Sequence, residues 1–387
     1  MKKIYFTRFI KLLVLFVSVF LVCTAADIVL IKADGYDERR ISDFYYEDKN
    51  SMDVVLLGAS EAFADFIPPY AYELGGFTSY CYAVSSNSAE MYKTQLKEIL
   101  SRQSPKLILV EPNGFVYDEN GLGVKELYAR AAQSYLESVP LTLNKIAAVF
   151  SSDIESRIVA LLPILKHHEQ LFQVYDRLGA MGFNSPSVLK GAFTITKLNH
   201  ETCKYSVPEG TDGYELTPLY KSYLIDFLDY CKSEELDNIV FVRFPHKYND
   251  EDAYIRACRS NVVEELVQQY GFEYIDLEEC ADDIGIDYDT DFFDQEHLSV
   301  YGQIKSTEYL TNIITEQYGI VPMAQSEENT ARWEKSAKYI RAYFMLADEI
   351  IKSGDKQYIW ETPEIMNKLD EILAAAPAEG LSLPTAD

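Results

Sequence analysis

Five short runs constrain the fold more than any other feature of this chain: Val54–Leu57, Ser79–Val84, Lys106–Pro112, Asn238–Phe244 and Phe272–Leu277. Each has the composition of a short buried strand. Stretches of helical periodicity separate them, one beginning near Pro68, where a proline suits a first helical turn. Others run over Ser88–Gln103, Pro218–Glu234 and Asp252–Tyr270, with a last one over Gly302–Tyr318. Strand–helix alternation of this kind predicts an α/β fold, a three-layer parallel sheet with helices on its faces.

The rhythm breaks once. Residues 119–216 hold several helix-like runs and irregular Gly/Pro/Asn/Ser stretches, too long for a simple crossover, and read as an inserted helical subdomain or lid. The expected organisation is a signal anchor over 1–31, a polar juxtamembrane linker over 32–52, and an α/β domain over 53–325 that carries the insertion. A helical extension over 326–387 follows, with one amphipathic helix and a frayed alanine-rich tail.

Lys2, Lys3, Arg8 and Lys11 precede an apolar run from Leu12 to Ala26, which Ile28–Ile31 prolong beyond Asp27. Read through Asp27, the run reaches the roughly 20 residues a membrane-spanning helix needs. The basic flank predicts a cytoplasmic N-terminus and an extracytoplasmic remainder. Thr24-Ala25-Ala26 also resembles a signal-peptide cleavage site, so a removed leader is the alternative. The formal net charge of -26 excludes nucleic acid as a natural partner, because that binding rests on Lys and Arg neutralising phosphates.

Six cysteines are scattered without CxxC or Cys/His spacing and read as buried free thiols. No metal site or cofactor is expected. Asp287, Asp289 and Asp291 alternate like a calcium loop, but Phe292 stands where that loop needs glycine and Leu298 where it needs glutamate. His167-His168-Glu169 point in different directions if helical.

The chemistry concentrates in "GASEAFADFIPP", where the first strand ends at Gly58 and Ser60 follows. Strand carboxyl ends are where open α/β sheets place their reactive groups. A serine hydroxyl is a weak nucleophile until a histidine takes its proton and a third group orients that histidine. Of five histidines, His297 alone has an aspartate three residues before it, Asp294, close enough on a turn to hold the imidazole. His246, after the fourth strand, is its competitor. The plainer alternatives are that Ser60 caps a helix and that His297 is an ordinary loop histidine.

An early serine with a late D-x-x-H resembles the SGNH/GDSL hydrolase superfamily, and within it the membrane-anchored, DltD-like and AlgX-like envelope branch. "LLGASEAFADFIPP" is similar to its G-x-S block, "PKLILVEPN" to its third strand, and "DQEHLSVYGQIKSTEYL" to its D-x-x-H-x-x-x-x-G ending, with Gly302 at the glycine. The likeness covers 53–115 and 220–318. It implies an SGNH/flavodoxin-like sheet, with Ser60 as nucleophile, His297 as base and Asp294 as orienting group. The family's oxyanion glycine is replaced by Ser85 or Ser86, with Ser86 preferred. Its asparagine corresponds to Asn113 or, less well, Asn87. The implied function is an extracytoplasmic serine esterase or O-acyltransferase on acylated envelope glycan or teichoic acid, possibly beside a membrane-bound O-acyltransferase. The alternative is an inactive scaffold of the same fold that binds an envelope polymer or a membrane acyltransferase.

Overall fold

The structure, a computed structural model, describes residues 2–32, 36–117, 124–168, 187–208, 210–211, 214–359, 361–376 and 381–385. Five strands form a parallel sheet in the order β2-β1-β3-β5-β6: β1 (Val54–Gly58), β2 (Ser79–Ala83), β3 (Leu107–Val110), β5 (Ile239–Arg243) and β6 (Glu273–Asp276). All four pairings are parallel. The five runs singled out in the sequence are these strands.

Alternation along each strand divides the core. Val55, Leu57, Tyr80, Tyr82, Ile108 and Val110 point into one apolar cluster, and Val54, Leu56, Cys81, Ala83, Leu107 and Leu109 into another. Both sheet faces are therefore covered, which is why the strand sequences read as nearly continuous apolar runs.

The first cluster gathers α2 (Tyr36–Phe44), α5 (Tyr92–Arg102), α10 (Pro218–Ser233) and α11 (Glu251–Gln269). The second is covered by α3 (Glu61–Ala64), α4 (Pro68–Gly75) and α13 (Val300–Asn312), with α12 (Ala281–Ile284) at its border.

Three expectations need revision. The segment expected as a juxtamembrane linker contains α2, whose Ile41 and Phe44 are fully buried. Its arginines are anchored as well. Arg40 lies 3.5 Å over the Phe63 ring and donates to the Gly191 carbonyl at 2.6 Å, while Arg39 pairs with Asp43 and Glu361. Polar composition concealed this, because two apolar residues suffice for one face of a nine-residue helix.

Secondly, the inserted segment is only partly separate. Among its described residues, α6 (Val124–Ser138) packs on α2, followed by α7 (Leu143–Ser151), α8 (Arg157–Leu161) and α9 (Ile164–His167). Residues 119–123, 169–186, 209, 212 and 213 of that segment lie outside the described residues. Its later part returns to the body, where β4 (Thr194–Ile195) pairs antiparallel with β7 (Tyr358–Ile359) of the C-terminal extension.

Thirdly, the extension holds two helices where one amphipathic helix and a frayed tail were expected. Helix α14 (Glu327–Ser353) buries Ile340, Tyr343 and Phe344 against Ile67, Tyr70 and Tyr301, and α15 (Pro363–Ala375) packs on α14.

Helix α1 (Lys2–Lys32) precedes all of this, and its Tyr5–Asp27 stretch, with mean hydropathy 2.5, is long and apolar enough to cross a membrane. Length and composition fit a single-pass span and a signal sequence equally. All six cysteines are free thiols. Cys81, Cys231 and Cys258 are buried as expected, whereas Cys203 is exposed.

Candidate active site

The carboxyl ends of β1, β3 and β5 and the loop after β6 converge, and that convergence positions the site. Gly58 ends β1 beside Glu111, which follows β3. A β-carbon on Gly58 would lie 2.6 Å from the Glu111 Cβ, so only glycine lets the two strand ends come this close. The Glu111 carboxylate accepts the Ala59 N–H at 2.6 Å and the Asn113 N–H as well. One buried acid thus ties the loop that carries Ser60 to the loop that carries Asn113. Burial, with Glu61 close by, pushes the Glu111 pKa well above the usual carboxylate range.

Ser60 occupies the N-cap position of α3 in a helical conformation (φ -68°, ψ -29°) and makes no side-chain cap bond. Its hydroxyl is directed elsewhere. The Oγ lies 2.7 Å from Nε2 of His297, and Nδ1 of that ring lies 2.9 Å from both carboxylate oxygens of Asp294. The three residues expected from the sequence meet in one chain of hydrogen bonds.

The D-x-x-H turn has a local cause. Asp294 Oδ1 accepts the N–H groups of Glu296 (2.8 Å) and His297 (2.9 Å), which folds the backbone back over the carboxylate. Phe293 stacks on the His297 ring, with centroids 5.0 Å apart and planes within 8°. The turn is then fixed to the serine side. Leu298 N–H donates to Asp65 at 2.8 Å, and Gln303 donates to the Ala64 carbonyl. A β-carbon on Gly302 would lie 2.4 Å from the Asp291 carbonyl, so this helix start also requires glycine.

Burial opposes a charge on His297, but the hydrogen bond and charge of Asp294, with Asp65 and Glu296 beyond, outweigh it and raise the ring to about 9. For Asp294 burial works upward, and its bonds to His297 and to two backbone N–H groups win, so its pKa is lowered. Asp65 is fully buried, and that burial raises its pKa well above the usual range.

The oxyanion candidates separate. Asn87 donates from Nδ2 both to the Gly58 carbonyl (3.0 Å) and to Gln95 (2.8 Å), so both of its N–H donors are spent. Asn113 donates one to Glu61 and keeps a second. Ser86 follows β2 with φ +52°, a left-handed backbone uncommon for serine, while its neighbour Ser85 donates to Asp37 from both backbone and side chain.

The competitor His246 has a different task. Its Nε2 lies 3.2 Å from Glu61 and its Nδ1 3.1 Å from Glu278, both fully buried acids. Burial opposes its charge, but Glu61 and Glu278 hold the ring well above its ordinary pKa. It is an imidazolium bridging two carboxylates, and through Glu61 it fixes the Asn113 amide. The other histidines lie apart: His167 is buried on Glu137 at 2.8 Å, His168 bonds the Leu165 carbonyl, and His200 meets Asp289. In the acidic loop, Asp291 accepts from Lys305 at 2.6 Å. Among the described residues no cluster of His, Cys, Asp and Glu could hold a metal ion.

Glu61, Asp65, Glu111 and Glu278 were not singled out in the sequence. Glu61 had one visible signal, its place directly after Ser60. Asp65 lies four residues further on, whereas Glu111 and Glu278 stand far from them along the chain and come near only because β1, β3, β5 and β6 are successive neighbours in the sheet. No protein-family model matches this chain, and no curated protein matches it.

Proposed function

We propose that this chain is a membrane-anchored serine esterase or O-acyltransferase of the SGNH/GDSL type, with its site outside the cytoplasm. The observation that carries the proposal is the 2.7 Å approach of Ser60 Oγ to His297 Nε2, with Asp294 on the opposite ring nitrogen. The strand order β2-β1-β3-β5-β6 agrees with it, being the flavodoxin-like doubly wound order, in which ligands bind beyond the strand carboxyl ends.

In the proposed reaction neutral His297 accepts the Ser60 proton at Nε2 as Oγ forms a bond to the ester carbonyl carbon. Asp294 holds the Nδ1–H, fixes the tautomer and stabilises the imidazolium that results. The negative oxygen of the tetrahedral intermediate is met by the backbone N–H groups of Ser60 and Ser86 and by the remaining Asn113 N–H. The C–O bond to the alcohol then breaks, and the imidazolium gives its proton to the departing alkoxide. A second hydroxyl group, from water or from a sugar, loses its proton to His297 and attacks the acyl-enzyme, which restores Ser60. Water gives hydrolysis and a sugar gives transfer.

The resemblance supplies the substrate class, acyl esters of a cell-envelope glycan or teichoic acid, and for the transfer branch a membrane-bound O-acyltransferase as acyl source. The test is turnover of an aryl acetate by the full chain in detergent. Acetate release that Ser60→Ala abolishes supports the assignment. No turnover by the unsubstituted chain would favour an inactive scaffold of the same fold.

A further inference from the structure

The exposed apolar side chains outside α1 are not evenly spread. Leu141, Leu143, Phe150, Ile158 and Leu165 all belong to one segment, on or beside the three consecutive helices α7, α8 and α9. Leu143 is 86% exposed and Phe150 64%. Seven positions apart on α7, they share a helix face, with the exposed Ala147 between them. Helix α7 packs on α8 and α8 on α9, so these positions are carried by one contiguous group of helices. A grouping of this kind marks an interaction site rather than scattered surface residues.

The position of α1 identifies the occupant. Helix α9 packs directly against α1. Along α1 the side chains are exposed through most of Tyr5–Val22 and become covered towards Asp27, which is buried. Asp27 accepts the Ile164 N–H at the start of α9 and faces Lys145 and His167. Tyr5–Asp27 has 23 residues, about 34 Å as a helix, close to the ~30 Å of a bilayer core. The contact with α9 is therefore made by the last turns of the apolar stretch, at the level where a span leaves the hydrocarbon. The charge balance agrees. In a chain of net charge -26, residues 141–168 hold Lys145, Arg157 and Lys166 against Asp153 and Glu155, or 3 - 2 = +1.

We infer that α7, α8 and α9 form an interfacial membrane-docking surface that lies in the head-group region of the bilayer crossed by α1. The surface extends the anchor laterally, so the chain is held at two places and its orientation over the membrane is restricted. The inference rests on α1 being retained as a span. It does not depend on the proposed catalysis.

The test uses the full chain reconstituted in phosphatidylcholine vesicles whose acyl chains carry bromine, a short-range quencher of tryptophan. The protein has two tryptophans, one of them the buried Trp333, so the unsubstituted chain supplies the background. In F150W, bromolipid should cut the emission of the added indole by roughly half, as expected for a side chain about 5–10 Å into the interface. V321W, at an exposed position on the body, should be unaffected. L143W repeats the measurement should F150W fold poorly. A chain that resists carbonate extraction but shows no added quenching overturns the docking surface alone. So does an indole buried without bromine quenching, which would mean that a protein partner or a second copy covers the patch. A chain released by carbonate overturns the anchor and the docking surface with it.

Discussion

His297 Nε2 and Ser60 Oγ lie 2.7 Å apart although 237 positions separate them in the chain. The sheet produces this meeting. Ser60 follows β1, an interior strand, and the loop after β6 at one edge folds back over the strand ends, held by Leu298 on Asp65. Each consequence below can be measured separately.

Asp294→Asn keeps the shape of the turn but presents an amide to Nδ1, which favours the wrong tautomer. The kcat for an aryl ester should fall by a factor on the order of 10³–10⁴ with KM little changed. A loss of less than tenfold would mean that Asp294 only shapes the turn.

The elevated pKa of His297 sets the pH dependence. Its imidazole must be neutral to accept the serine proton, so kcat/KM should rise with pH and level off above about 9. Stability runs the other way. The folded pKa is raised, so this contribution is complete below the unfolded value near 6.5 and is lost as pH rises through about 9. Asp294→Ala should move the kcat/KM limb toward lower pH while lowering its plateau. An unchanged limb would show that another group sets it.

His246→Ala leaves Glu61 and Glu278 buried without their shared cation. Removing one partner of a buried ion pair costs about 3–5 kcal/mol, which urea unfolding would detect readily. The ring's raised pKa places its stabilising effect below its folded pKa, fully present under about 6.5 and fading as pH climbs through the raised value. A change under ~0.5 kcal/mol, typical of a surface site, would rule out the bridging role.

Gly58→Ala places a methyl group against the Glu111 side chain at the site's base. Overpacking of this sort costs roughly 1–3 kcal/mol, and here the strain falls two residues before Ser60. Both the melting temperature and kcat should drop. A variant with normal kcat would show that the end of β1 can shift without moving Ser60.

The sheet and the three central residues were legible because each leaves a local mark: an apolar run, a glycine before a serine, an aspartate three before a histidine. Helix α2 was missed because its buried arginines look like linker residues until Phe63, Gly191 and Glu361 are known to surround them. The second buried network was illegible for a related reason. Glu61, Glu111, His246 and Glu278 follow four different strands, and only the order of those strands makes them neighbours. The choice between Asn87 and Asn113 also needed coordinates, because a side chain's free donors depend on what already surrounds it.

The central claim, that Ser60 is a nucleophile activated by His297, is tested most directly by treating the full chain with a fluorophosphonate and mapping the product by mass spectrometry. A single phosphonyl adduct on Ser60, absent in Ser60→Ala and strongly slowed in His297→Ala, is the expected result. No adduct, or one that forms equally fast in His297→Ala, would contradict it.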